Sequence, residues 1–221
     1  ISEITGAIKG SLSIGASSTI GNYLLPHIIA SFKKKVPQVN ISLVVNNTKT
    51  ITEKLNAGEI DIALVEGDVS KQRFAVETLL SDELVIIMSP AHPWAERRNI
   101  PGIELNKEPI ILREEGSGTR QIILKRLEEH GMKLADLKIS LVLGSTESIK
   151  SAVEEGVGVS IVSAWAARKS IKHGLLKATT FKDVKFIRNF SIISPKRNYC
   201  THTAKEFLNF LKVYPIKSPM S

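Results

Sequence analysis

Apolar and polar residues alternate from the start of the chain. Leu12, Ile14 and Ala16 are separated by Ser13 and Gly15, a period of two that predicts a strand with a buried face. The period then changes. Over 22–35, Leu25, Ile28, Ile29 and Phe32 share one helical face, and Lys33, Lys34 and Lys35 sit at the end where the helix dipole favours cations. Val36-Pro37 stops the helix, and alternation over 39–45 gives a second strand. Thr50-Ile51-Thr52-Glu53 has capping-box spacing and predicts a short helix through Leu55, closed by Gly58 in a left-handed turn. Residues 60–65 form a third strand. Strand, helix, strand, helix, strand is two successive βαβ units, so the sheet is expected to be largely parallel.

Leu84-Val85-Ile86-Ile87-Met88 is apolar throughout, the signature of a strand buried on both faces, and Ser89 to Trp94 reads as a turn. The pattern then restarts: strands over 109–112, 140–143 and 159–162, helices over 121–130 (closed by Gly131) and 147–155, a strand over 190–193 and a last helix over 204–211. This restart predicts an α/β fold of two Rossmann-like lobes. The strand-like runs near 84–88 and 190–193 are the expected crossovers, giving lobe I over 1–86 plus 192–221 and lobe II over 87–191. No short repeat or low-complexity linker interrupts the chain.

Composition narrows the class. In 221 residues, 43% hydrophobic and 24% charged residues are those of a globular protein, and 5% aromatics suits parallel strands covered by helices. The net charge is +8, but the cations are spread out (Lys33-Lys34-Lys35, Arg97-Arg98, Arg168-Lys169, Lys182, Lys185, Arg188) with no interleaved aromatics for stacking bases. They read as a solubilising surface, not a nucleic-acid face. The single cysteine, Cys200, excludes an internal disulfide and fits a reducing compartment such as the cytoplasm. No apolar run reaches the roughly 18 residues that would span a membrane, and the first residues lack the charged-then-apolar order of a signal peptide.

Candidate chemistry concentrates in two hydroxyl-rich loops, each leaving a strand and opening a helix. One is Ser17-Ser18-Thr19 and the other Gly116-Ser117-Gly118-Thr119. Such loops present amide N–H groups, hydroxyls and a positive helix end to a small anion. Both also have a plain reading as helix caps, with Thr119 as the capping hydroxyl of the second. Arg120 either forks onto a carboxylate or phosphate or pairs with Glu114 or Glu115. Ser145-Thr146-Glu147 repeats the theme after another strand, with Ser145 as an alternative N-cap. Glu66, at the carboxyl end of the third strand, either faces a ligand, which it would oppose if purely anionic, or points into water; water is the commoner outcome.

Catalytic patterns are missing. His27, His92, His130, His173 and His202 show no metal-ligand spacing, and no nucleophile elbow or complete phosphate loop occurs. His92 reads as a turn residue, and Trp94 and Trp165 as packing residues. No enzyme activity, metal or cofactor is expected.

Taken in order, several motifs resemble one family. They are Gly10-Ser11-Leu12-Ser13-Ile14-Gly15-Ala16-Ser17, Leu24-Leu25-Pro26 with Phe32 and Pro37, and Leu55 with Gly58-Glu59-Ile60-Asp61-Ile62-Ala63. Ala91-His92-Pro93-Trp94, Glu115-Gly116-Ser117-Gly118-Thr119-Arg120 and Gly156-Val157-Gly158-Val159-Ser160-Ile161-Val162 complete the set. The chain resembles the effector-binding domain of LysR-type transcriptional regulators, of the type 2 periplasmic-binding-protein fold. The resemblance implies a small effector, an inorganic anion or small carboxylate with sulfur oxyanions and phosphorylated metabolites as the leading classes, bound in an interlobe cleft lined by the loops at 17–19, 116–120 and 145–147. It implies homodimers, with tetramers in the full protein, whose geometry changes with the hinge angle; the first helix would then also pack against another subunit. DNA contact would come only through an N-terminal winged helix-turn-helix domain absent from this chain, with residues 1–8 as the tail of a linker. A transport-type solute-binding protein shares the fold and is the competing reading; an enzyme on this scaffold is a more distant one.

Overall fold

The computed structural model describes residues 8–196 and 201–216; Cys200 and nearly all of the proposed linker tail lie outside them. The alternating segment forms β1 (Gly10–Ser17), which is followed by α1 (Leu25–Lys35), β2 (Val39–Asn46), α2 (Thr48–Asn56), β3 (Ile62–Glu66) and β4 (Phe74–Met88). Then come β5 (Pro109–Arg113), α3 (Gly118–Glu129), β6 (Lys138–Leu143), α4 (Thr146–Glu154), β7 (Ser160–Ser163), α5 (Ala164–Lys172), β8 (Lys177–Thr179), β9 (Ile187–Pro195) and α6 (His202–Val213). The described chain divides into two compact units. The first holds the chain up to Val65, Val69–Leu79 and the stretch from Ser191; the second holds Glu66–Asp68 and Leu80–Phe190. The chain therefore passes from one unit to the other inside β4, between Leu79 and Leu80, and inside β9, between Phe190 and Ser191.

In the first unit β1 is central and parallel to both neighbours, pairing Gly10 with Val39 through Ser17 with Asn46 on one side and Ile14 with Ile62 on the other. This is the expected βαβαβ arrangement; β9 and β4 extend the sheet beyond β3. Leu12, Ile14 and Ala16 share one face of the strand and are fully buried. Phe32 of α1 meets Phe207 edge-on at 5.1 Å and Phe210 of α6 at 5.3 Å. Ile51 and Leu55 of α2 pack with Ile60, Ala63, Val65, Phe74 and Ile193. The capping box at Thr50 is not used. The helix begins earlier, with Asn47 as N-cap, its side-chain oxygen accepting from the Thr50 N–H at 2.9 Å. Gly58 takes the left-handed φ of 72° expected of a helix terminator.

In the second unit β4 lies between two antiparallel partners, β7 (Leu84 to Ser163) and β8 (Ile87 to Ala178). Leu84, Ile86 and Met88 face one core with Trp94, Leu112 and Phe181. Val85 and Ile87 face another with Ile149 and Val153 of α4 and Ala164 and Ala167 of α5. That two-sided burial explains the unbroken apolar run. β5 and β6 form a parallel pair with a bulge at Ile110/Ile111. Two backbone bonds of 2.9 Å, Ile111 N–H to Val159 O and Val159 N–H to Pro109 O, tie β5 to the chain entering β7.

Candidate functional site

The second hydroxyl loop begins where β5 ends. Gly116 turns the chain at φ 87°, a conformation glycine adopts without strain, and α3 starts at Gly118. Its N-cap is Ser117, not Thr119: the Ser117 hydroxyl accepts from the Arg120 N–H at 3.4 Å. Gly67, also at positive φ, lies so close that a Cβ on it would stand 3.0 Å from Gly118 Cα. The chain leaving β3 thus rests directly on the first turn of α3.

That approach delivers Glu66 to Thr119. Glu66 is buried, not solvated, and Thr119 donates to its Oε1 at 3.3 Å. Arg188 of β9 completes the cluster. Its Nη1 donates to Thr119 Oγ1 at 2.7 Å, its Nε to Asp82 Oδ2 at 2.7 Å, and its Nη2 stands 3.3 Å from Glu66 Oε2. Ser163, at the end of β7, donates to Asp82 Oδ1 at 2.7 Å, and the guanidinium lies 5.4 Å from the Phe190 ring centroid. Two carboxylates and one guanidinium, all buried, are linked through hydroxyls within the second unit. Glu66 therefore does not act as an isolated negative charge, and its expected opposition to an anion is offset by Arg188. Arg188 belongs to this network and not to the basic surface where its sequence neighbours Lys182 and Lys185 place it.

Burial raises the Asp82 pKa above the ordinary 3.8, against the lowering pull of Arg188 and Ser163. A raised folded-state value means that the native state holds the proton more tightly than the unfolded chain does. The contribution is present in full below the unfolded value and is lost as pH rises through the folded one. The stability of the wild type relative to Asp82→Asn is thus expected to fall as pH rises above the ordinary carboxylate range, about 4. Urea unfolding at stepped pH measures it; a pH-independent difference contradicts it.

A second helix start lies nearby in the chain order of the same unit. Ser145 caps α4, accepting from the Ser148 N–H at 3.0 Å, and Glu147 pairs with Lys150 at 2.9 Å. Thr146 is buried and accepts from Arg113 Nη1 at 3.1 Å, while Arg113 grips Glu114 through Nε and Nη2 at 2.7 and 3.0 Å. Arg120 does not pair with Glu114 or Glu115 in the described contacts; its Nη1 donates to the Arg113 carbonyl at 3.0 Å. Asp82, Arg113, Ser163 and Arg188 are site residues that sequence reading missed.

In the first unit Ser17 ends β1, and Ser18 and Thr19 lead into a single π-helical turn, Ile20–Leu24, in which the Leu25 N–H reaches the Ile20 carbonyl before α1 begins. Such widened turns recur at functional sites. Gly21 permits it, since a Cβ there would stand 2.6 Å from Val45. All three hydroxyl residues are buried. The Ser17 Oγ is wholly buried and has no hydrogen-bond partner among the described residues. Among those residues, no group of three or more His, Cys, Asp or Glu could hold a metal ion, and no helix is long and apolar enough to cross a membrane.

Comparison with known proteins agrees with this architecture. The family described as LysR substrate binding domain matches residues 5–214. A probable RuBisCO transcriptional regulator of Cyanidium caldarium is 34% identical over 96% of this chain and 69% of its own length. The HTH-type transcriptional regulator CysL of Bacillus subtilis is 31% identical over 93% of this chain and 68% of its own. The chain spans about two thirds of the length of the curated relatives it matches. Among solved structures, the Synechocystis PCC6803 CcmR regulatory domain in complex with 2-PG superposes with TM-score 0.84 at 27% identity, covering 92% of this chain and 96% of that one. The effector binding domain of QuiR in complex with shikimate gives TM-score 0.83 at 22% identity over 92% and 96%, a likeness of fold. A βαβαβ sheet, hydroxyl-capped helix starts and near-complete family coverage converge: this chain belongs to the LysR substrate-binding domain family, as an effector-binding domain of LysR-type transcriptional regulators.

Proposed function

We propose that the chain senses a small anionic effector through its hydroxyl loops: Ser17, Ser18 and Thr19 in the first unit, and Gly116, Ser117, Gly118, Thr119 and Arg120 with Ser145, Thr146 and Glu147 in the second, Glu66 acting through Thr119. It does so as a non-catalytic part of a cytoplasmic regulator that assembles as a dimer or tetramer and reaches DNA through a segment outside this chain. The observation that carries the reading is the Ser17 hydroxyl. A buried hydroxyl without a partner costs about 1–3 kcal/mol, a cost that a ligand accepting its proton removes. The hydrogen bonds of the second loop refine the roles. Thr119 gives its proton to Glu66 and accepts from Arg188, so its hydroxyl positions the loop and does not itself donate to an anion. Ser117 is an acceptor in its cap and keeps its proton for an anion, whereas the Ser145 hydroxyl accepts in its cap and also shares a 2.8 Å bond with the Ser148 hydroxyl. The complex of the CcmR regulatory domain with 2-PG supports a small ligand on a domain of this kind.

The test is a thermal-shift series with sulfate, sulfite, phosphate and small carboxylates on the wild type and Ser17→Ala. A ligand at a hundred times its dissociation constant stabilises by about 2.7 kcal/mol. Without ligand, Ser17→Ala is expected to match or exceed the wild type by up to about 1 kcal/mol, because it deletes an unsatisfied group. With ligand, most of the shift is expected to vanish. A ligand-free loss together with an unchanged ligand shift sinks the role of Ser17, and no shift with any anion sinks the anionic effector.

A further inference from the structure

A groove of about 440 Å³ opens in the second unit between α5 and the β4–β8 pair, away from every hydroxyl loop in sequence and built from other residues. It exists because small side chains face each other there. Ala164 begins α5, and Ala178 of β8 pairs with Ile87 of β4, so both strands present short or buried apolar groups to the helix. Val85 and Ile171 complete the apolar lining. Arg168 and Lys172, four residues apart on α5, also line it, and both are exposed. Among the described residues no carboxylate lines the groove with them; Thr179 and Thr180 complete its wall. The volume is within the range of small-ligand pockets, roughly 300–1,000 Å³, and too small for a partner helix.

We infer that this groove is a second ligand site, for an amphipathic monocarboxylate whose short hydrocarbon body lies on Val85, Ala164, Ala178 and Ile171 and whose carboxylate meets Arg168 and Lys172. Charge selects the class. An anion gains a guanidinium fork and an ammonium from neighbouring turns of one helix, whereas a cation meets only repulsion. The apolar body provides the area and the cations the orientation.

Octanoate is the probe, with 1-octanol as its uncharged counterpart, followed by calorimetric titration and amide chemical shifts on the whole chain. Saturable binding is expected with a dissociation constant on the order of 0.1–1 mM, given the few atoms involved. Shifts should concentrate on α5 and β8. Reversing both charges, Arg168→Glu with Lys172→Glu, removes two exposed attractions and is expected to weaken octanoate about tenfold while leaving octanol unchanged. These side chains point to solvent, so the variant keeps its fold. Ala178→Trp fills the groove and is expected to abolish both. Octanol binding as tightly as octanoate, indifference to the charge reversal, or no binding at about 10 mM overturns the site. So does association of the chain with itself that Ala178→Trp abolishes, which would assign the groove to a second copy.

Discussion

Replacing Arg188 by methionine is expected to lower the unfolding free energy by about 3–5 kcal/mol, the largest loss from any single charged side chain in the described structure. The guanidinium bonds Asp82 through Nε, stands 3.3 Å from Glu66 Oε2, and also donates to the Thr119 hydroxyl. Methionine fills much of the volume but leaves two carboxylates in a buried site, where each must either stay charged without a partner or take a proton. Proton uptake gives the loss its pH signature. With Arg188 gone, the burial that raises the Asp82 pKa is no longer opposed by the guanidinium, so stability is regained as pH falls and lost as it rises. The triple variant Arg188→Met, Glu66→Gln, Asp82→Asn is expected to recover most of the loss, because it removes the charges together. Denaturant unfolding of the three chains decides the matter. A loss below about 1 kcal/mol, the range of exposed pairs, would mean that the network is solvated and adds nothing to the unit.

That network was also the least legible part of the chain. Asp82 and Arg188 bond across a separation of 106 residues, and Thr119 and Arg188 across 69. Local spacing carries no record of such pairs. A partial signal did exist: Arg188 stands two residues before Phe190, and exposed Ile187 and Asn189 alternate with buried Arg188 and Phe190, so the strand read over 190–193 extends back to it. The first half of β4 was hidden because Glu77, Asp82 and Glu83 interrupt its apolar positions. α5 was hidden because no loop precedes it; Ser163 is both the last residue of β7 and the N-cap of the helix, accepting from the Trp165 N–H at 3.1 Å. By contrast, β1, α1 and β2 were readable because burial on defined faces imposes periods of two and 3.6. The hydroxyl loops were readable for a local reason too. A helix start needs short polar groups, and Ser117 and Ser145 meet that need where the sequence concentrates them.

Gly158→Ala is expected to cost about 3 kcal/mol and, with it, the anion response of the second hydroxyl loop. A Cβ at this position would overlap the Pro109 carbonyl oxygen and stand 3.0 Å from the Pro109 carbonyl carbon. The obstacle is backbone, so no rotamer change relieves it. The strands must part, and what parts is the junction of β5 with the start of β7: the Val159–Pro109 and Ile111–Val159 backbone bonds, and the 2.7 Å bond from the Ser160 hydroxyl to the Ile111 carbonyl. β5 ends at Arg113, which holds Thr146 and, through its carbonyl, Arg120. Displacing β5 thus disturbs both helix starts of the second unit without touching any residue proposed to meet the effector. Gly144→Ala provides the comparison: its Cβ would meet nothing within 4 Å and its φ is not positive. That variant is expected to stay within about 0.5 kcal/mol of the wild type and keep its response, even though it lies next to Ser145. If Gly158→Ala is as stable as Gly144→Ala, the β5–β7 junction has slack and does not fix the loop. If it is destabilised but responds to anions normally, the loop is positioned by α3 and the Glu66–Arg188 cluster instead.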